Sequence, residues 1–170
     1  MRLTPHFTLE EFERSGTAAR LHIDNRVPAE LVPNIKNLCE EVLEPLREHF
    51  QEPIYVSSGY RCPELNRAVG GVRNSQHMRG EAADICPFVL SGLSPDPSHV
   101  GEGRQASGSM RLVPDSHSPE ARKKMREWAE WIMDNLQFDQ LLREHRGDSY
   151  WIHVSLKRVG ENRLTASVPR

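Results

Sequence analysis

Ala82-Ala83-Asp84-Ile85-Cys86 reads as a short buried strand with a carboxylate at its centre, and this feature limits most what the chain can become. A carboxylate in apolar surroundings is costly unless it is paired or bound to a cation. Strand alternation puts Ala82, Asp84 and Cys86 on one face, and the small Ala82 and Ala83 let neighbouring backbone approach closely. Any fold for this chain must therefore bring a partner to Asp84. His77 lies seven residues upstream, and on a straight helix the two positions would be about 10 Å apart along the axis. A loop that turns at Gly80 and returns as the strand converges them instead. A third partner should come from a neighbouring strand, and Tyr150-Trp151-Ile152-His153-Val154-Ser155-Leu156 offers one. There Ile152, Val154 and Leu156 share one face, while Trp151, His153 and Ser155 share the other. His77, Asp84 and His153 together are two imidazoles and one carboxylate, which leave a zinc ion one position for water. The pair His77–Asp84 alone is a weak signal, and a lone strand histidine is more often satisfied or exposed. The combination carries the reading.

The remaining composition bounds the rest. A chain of 170 residues has the size of one domain and should bury roughly 70% of its unfolded surface. With 37% hydrophobic and 27% charged residues it is polar but globular. A net charge of −2 argues against strong electrostatic binding to nucleic acid or anionic membranes. No apolar run approaches the ~20 residues of a membrane span, and the first residues lack the apolar core of a secretory signal. Synthesis in the cytoplasm without a leader is expected. Cys39, Cys62 and Cys86 are too few for a disulfide framework. Cys39 reads as a core residue, and a Cys62–Cys86 bridge is disfavoured.

Patterning predicts a short helix from Leu9, with Thr8 and Glu11 as a capping box and Phe7 packing on Phe12. A turn-rich stretch follows to Asn25. A longer helix is expected from about Pro28 to His49, with Leu31, Ile35, Leu38, Val42 and Leu46 as its buried stripe and Pro45 as a kink. Ile54 to Val56 reads as a strand, 60–80 mostly as loop, and Ala82 to Cys86 as a strand. Residues 87–119, rich in Pro, Gly and Ser, show no period and read as a flexible insertion in a single domain spanning 1–170. A helix is expected from Pro119, capped by Ser118, with Met125, Trp128, Trp131 and Ile132 inward. Phe138 to Arg143 and Tyr150 to Leu156 read as strands joined by a loop over 144–149. Without regular strand–helix–strand alternation, the class is α+β.

At this point the sequence resembles a known family. Ser75-x-His77-x-x-Gly80-x-Ala82-x-Asp84 is similar to the zinc motif of the D-Ala-D-Ala carboxypeptidases and related murein peptidases. Ser58-Gly59-Tyr60-Arg61-Cys62-Pro63-Glu64-Leu65-Asn66 resembles the segment before it. Phe138-Asp139-Gln140-Leu141 and Trp151-Ile152-His153-Val154-Ser155 resemble the closing strands. The likeness runs from about residue 5 to 158. It implies the hedgehog/D,D-peptidase fold, an antiparallel sheet flanked by helices, with zinc on His77, Asp84 and His153. It also implies hydrolysis of peptidoglycan stem or cross-link peptides. In the absence of a leader, a phage endolysin-like monomer acting in the periplasm or cell wall is the expectation.

Such a reaction needs a general base and donors for the developing oxyanion. Arg61 resembles the arginine that meets the substrate's carbonyl or carboxylate in that family. Several relatives place an acid three positions before the last zinc histidine, but here Tyr150 stands there. The hedgehog-like arrangement instead nominates Glu144 as base, with Asp148 in reserve. Ser75 is a candidate to orient Asp84, Trp151 to line the cleft, and His145 reads as an exposed hairpin residue. Two competing classes stay open. One is a zinc-stabilised binding domain of the same fold without turnover. The other is a non-haem iron oxygenase, which also uses two histidines and a carboxylate.

Overall fold

The computed structural model describes residues 1–91 and 111–168. Short helices α1 (Leu9–Glu13) and α2 (Gly16–Leu21) lead into a long helical path, α3 (Val32–Leu38) and α4 (Glu44–Phe50). Strand β1 (Ile54–Ser58), helix α5 (Pro63–Ala68) and the 3₁₀ turn Gln76–Arg79 follow. Then come β2 (Ala82–Ser91), β3 (Arg111–Pro114), α6 (Pro119–Asn135), β4 (Gln140–Arg146), β5 (Ser149–Ser155) and β6 (Thr165–Ser167). The class is α+β, as the patterning predicts.

Local chemistry sets the helix ends and bends. The Glu11 carboxylate accepts from the Thr8 N–H at 2.7 Å, and Phe7 and Phe12 are both buried in the core. Between α3 and α4 the backbone widens into a π-helical turn over Cys39–Leu43, where the Glu44 N–H donates to the Cys39 carbonyl. Pro45 explains it: its ring would strike the carbonyl four residues back in a regular helix. The turn absorbs the proline without ending the helix, and Ile35, Leu38, Val42 and Leu46 stay buried as expected. Ser118 caps α6 by accepting from the Ala121 N–H at 3.0 Å.

The strands lie in the order β1-β2-β5-β4-β6, with β3 pairing β2 off this path. All pairs are antiparallel, as expected, except the short edge pair β4–β6, which is parallel. Ala83, Ile85, Leu141, Ile152 and Val154 join Ile35, Val42, Met125, Trp128 and Ile132 in one core. Alternation then turns the residues between them, Asp84, Leu142, Glu144 and His153, to the opposite face. That face carries the site.

Several boundaries differ from the sequence reading, each for a local reason. The stretch before Asn25 contains α2, a six-residue helix capped by Ser15 that buries only Ala18 and so has no apolar stripe to read. The 60–80 region contains α5, started by Pro63, with the Cys62 sulfur accepting from the Leu65 N–H. β2 runs five residues beyond Cys86 and pairs with β3, so the edges of the expected 87–119 insertion are strand. The remainder of that stretch, 92–110, lies outside the described residues. The β4–β5 connection is only Gly147-Asp148, and Glu144, His145, Arg146 and Ser149 are strand residues. Cys39, Cys62 and Cys86 are all free thiols. No helix among the described residues is long and apolar enough to cross a membrane.

Candidate metal centre and cleft

Three segments place the three side chains. The 3₁₀ turn carrying His77 ends at Gly80, whose φ of +65° suits glycine. A Cβ there would come within 2.9 Å of the Ile35 side chain, so the turn lies flush on α3. The chain then enters β2, where Asp84 stands directly across from His153 of β5. On the other side, β1 carries a bulge between Val56 and Ser58 opposite Asp84, and the Ser57 hydroxyl donates to the Asp84 carbonyl at 3.0 Å. Bulges of this kind re-aim side chains beside functional sites.

His77, Asp84 and His153 are 3%, 5% and 9% exposed. His153 Nδ1 is 2.9 Å from Asp84 Oδ1, His77 Nε2 is 3.2 Å from the same oxygen, and the two ring nitrogens are 3.2 Å apart. His77 Nδ1 lies 2.7 Å from the Gly59 carbonyl. A carbonyl can only accept, so Nδ1 carries the proton and the Nε2 lone pair faces the cluster. Donors about 2.0 Å from a tetrahedral metal are about 3.3 Å from each other. The observed triangle has that size and chemistry, so the set fits a metal ion.

Burial alone would raise the Asp84 pKa, but the adjoining imidazoles of His77 and His153 outweigh it and hold the carboxyl well below the usual range. Its other oxygen is taken by Arg61, whose Nη2 donates to Asp84 Oδ2 at 2.5 Å while its Nε donates to Ser58 Oγ at 2.9 Å. Arg61 thus reaches the site, with its guanidinium engaged on Asp84. Buried Asn25 holds that segment by accepting from the Cys62 N–H at 2.8 Å and donating to the Tyr60 carbonyl at 2.9 Å. No sequence pattern marks Asn25.

These groups open into a cleft of about 1610 Å³ whose lining includes Arg61, Glu144 and Trp151. Glu144 faces the cleft from β4, opposite Trp151 and two residues from Leu142, the cross-strand neighbour of His153. The Trp151 indole N–H donates to Glu144 Oε2 at 2.9 Å. Asp148, the reserve base, sits in the tight turn, where its carbonyl meets His117 at 3.2 Å. His145 is exposed and stacks on Tyr150 with ring centroids 5.3 Å apart. Ser75 is buried, and its side chain does not cap the turn that follows.

A second polar cluster borders the first. Asp139 is fully buried and binds Arg163 through Nε at 2.8 Å, the backbone N–H at 2.9 Å and Nη2. Lys157 Nζ is 2.9 Å from its other oxygen. Arg163 Nη2 and the Ser155 hydroxyl both donate to Gln76 Oε1, at 3.1 and 2.9 Å. Arg163 and Lys157 went unread because no pattern links them to Asp139.

Among curated proteins nothing matches this chain. The sequence profile described as Peptidase M15 matches residues 5–91, which takes in α1 through β2 and with them His77, Asp84 and Arg61. The chain belongs to the peptidase M15 family.

Proposed function

We propose that this protein is a zinc peptidase that hydrolyses peptide bonds of peptidoglycan, with His77, Asp84 and His153 as metal ligands and Glu144 as general base. Membership of a peptidase family supports the reaction type. The observation that carries the metal is the convergence of three donor atoms within 3.2 Å of one another, beside a carboxylate on the same cleft face. A bound zinc ion lowers the pKa of its water to about 7 and polarises the scissile carbonyl.

The chain's own residues do the rest. Gly59 fixes the His77 tautomer, and Arg61 occupies Asp84 Oδ2 so that Oδ1 is left for the metal. Arg61 is then a positioning residue for Asp84, and it borders the place where a substrate carbonyl would lie. Glu144 takes a proton from the attacking water at one carboxylate oxygen and returns it to the leaving amine nitrogen as the C–N bond breaks. The Trp151 indole holds the other oxygen, which orients the base. Peptidoglycan stem peptides are the substrate in this reading, by D,D-carboxypeptidase or endopeptidase cleavage. The protein would act on the cell wall as an endolysin-like monomer.

Zinc-loaded protein should release stem-peptide fragments from purified murein sacculi, read by mass spectrometry. Glu144→Gln should keep its zinc and lose about 10²- to 10⁴-fold in kcat. Undiminished turnover in that variant removes Glu144 from the mechanism. Zinc bound at one per chain with no product from sacculi or D-Ala-D-Ala peptides would overturn the hydrolase reading in favour of a zinc-stabilised binding domain.

A further inference from the structure

We propose that Lys157 and Arg163 form a subsite that recognises a free carboxylate of the peptide substrate. The proposal rests on the peptidase reading of the cleft and adds to it a specificity. Both side chains line the cleft, with 26% and 51% of their side-chain surface exposed. Among the described residues, the ion pairs of both cations are with Asp139 alone. Two basic side chains thus share one buried carboxylate, and among the described residues no second carboxylate pairs with them at the cleft wall. This surplus is local, because the whole chain carries a net charge of −2.

The two cations are held in place before any ligand arrives. The Lys157 N–H donates to Asn162 Oδ1 at 2.9 Å and its Nζ to the Glu161 carbonyl at 2.8 Å. Arg163 is fixed on Asp139 and Gln76. The Thr165 N–H then donates to the Asp139 carbonyl at 3.1 Å, where β6 joins the sheet. Little ordering is left to be done on binding, which favours affinity.

Position gives the subsite its meaning. The Asp139 N–H donates to the Ser155 carbonyl, so the cation pair lies near Ser155, about 7 Å along β5 from His153. Glu144 and Trp151 lie the same number of residues to the other side of His153. The metal ligands thus lie between Glu144, with Arg146 beyond it at the hairpin rim, and the Lys157–Arg163 pair. A peptide with a free carboxylate one or two residues from the scissile bond would meet this cation pair on the Ser155 side of His153.

The test uses the stem pentapeptide L-Ala-γ-D-Glu-L-Lys-D-Ala-D-Ala and two versions in which either the D-Glu α-carboxylate or the terminal carboxylate is amidated. Zinc-loaded wild type should lose roughly tenfold in kcat/KM on one of the two amidations, the size of one charge-assisted hydrogen bond. Lys157→Met leaves Arg163 to compensate Asp139 and should shrink that acid-over-amide ratio to under about threefold by losing rate on the acid. Lys157→Arg should restore it. An absent preference in wild type overturns the proposal, as does a preference that survives Lys157→Met but disappears in Arg146→Gln at the hairpin rim. If no peptide is cleaved, the peptidase reading fails separately. Calorimetric titration of the same peptides into zinc-loaded protein then reads the subsite, and equal affinity for acid and amide rejects it.

Discussion

Asp84, within β2, and Asp139, just before β4, are two buried carboxylates beside one sheet, and their surroundings differ in kind. Asp139 is closed: Lys157 sits on one oxygen and Arg163 on the other. Burial would raise its pKa, but Arg163 and Lys157 outweigh this and hold it well below the usual range. Asp84 has one such partner, Arg61, on a single oxygen. The other oxygen faces two imidazole nitrogens, atoms of a ring that commonly binds metal ions. A carboxylate saturated by fixed cations is an element of the fold. One that shares its free oxygen with two imidazole nitrogens is suited to hold a metal ion.

The largest expected effect follows from that difference. Asp84→Asn removes the anionic ligand, so the protein should emerge from dialysis without zinc and lose on the order of 10³-fold in hydrolysis. Metal content by plasma mass spectrometry and turnover on muropeptides check it. Asp139→Asn should do the reverse, keeping one zinc per chain while losing about 3 kcal/mol of stability, because Lys157 and Arg163 are left around a neutral group. For a chain of this size that is a fall in Tm of about 8 °C. Equal zinc loss in both variants would end the distinction.

Acid sharpens the contrast further. The folded Asp139 pKa lies below its unfolded value of about 3.9, so the unfolded state binds its proton first as pH falls. The stability it supplies is complete above about pH 5 and drains away below about pH 4. In urea unfolding of metal-free protein, the gap between wild type and Asp139→Asn should therefore hold constant from pH 6 to about pH 5 and narrow from there to pH 2.5. A gap that widens on acidification would mean that Asp139 is protonated in the folded protein.

The two carboxylates were also unequally legible in the sequence. Asp84 announced itself because it interrupts a short apolar strand, and the motif around it fixed the direction of search for His77 and His153. The helical stripe from Ile35 to Leu46 and the inner face of α6 were readable because burial repeats with the helical period. Asp139 could be seen only as part of a family-like string. Its partners Lys157 and Arg163 follow the last strand in a stretch with no period, and their meeting depends on β6 returning parallel to β4. Patterning puts Glu144 in a loop over 144–149. The tight Gly147-Asp148 turn instead extends the ladder, and strand alternation rather than loop freedom aims it into the cleft. Short helices such as α2 bury too little to leave a pattern, and Asn25 acts through single hydrogen bonds that no spacing encodes.

The smallest expected effect tests whether the two regions act independently. Ser155 lies between them: its hydroxyl donates to Gln76 beside His77 and accepts from the Gln140 N–H at 3.1 Å next to Asp139, and it is two residues from His153 on the same strand face. Ser155→Ala leaves the Gln140 N–H without that acceptor and frees the Gln76 carbonyl from one of its two donors. A loss of about 1–2 kcal/mol is expected from hydrogen bonding alone. Because Gln76 precedes His77, zinc affinity should also fall, by about tenfold, the lower end for a residue that steadies a ligand. Competition with a zinc chelator measures the affinity, and urea unfolding the stability. Affinity lost together with stability would mean that the closed cluster braces the open one through Gln76. Stability lost with affinity intact would mean that the 3₁₀ turn holds His77 by its backbone contacts to Arg61 and Gly80, and that the two carboxylates share a sheet without sharing a task.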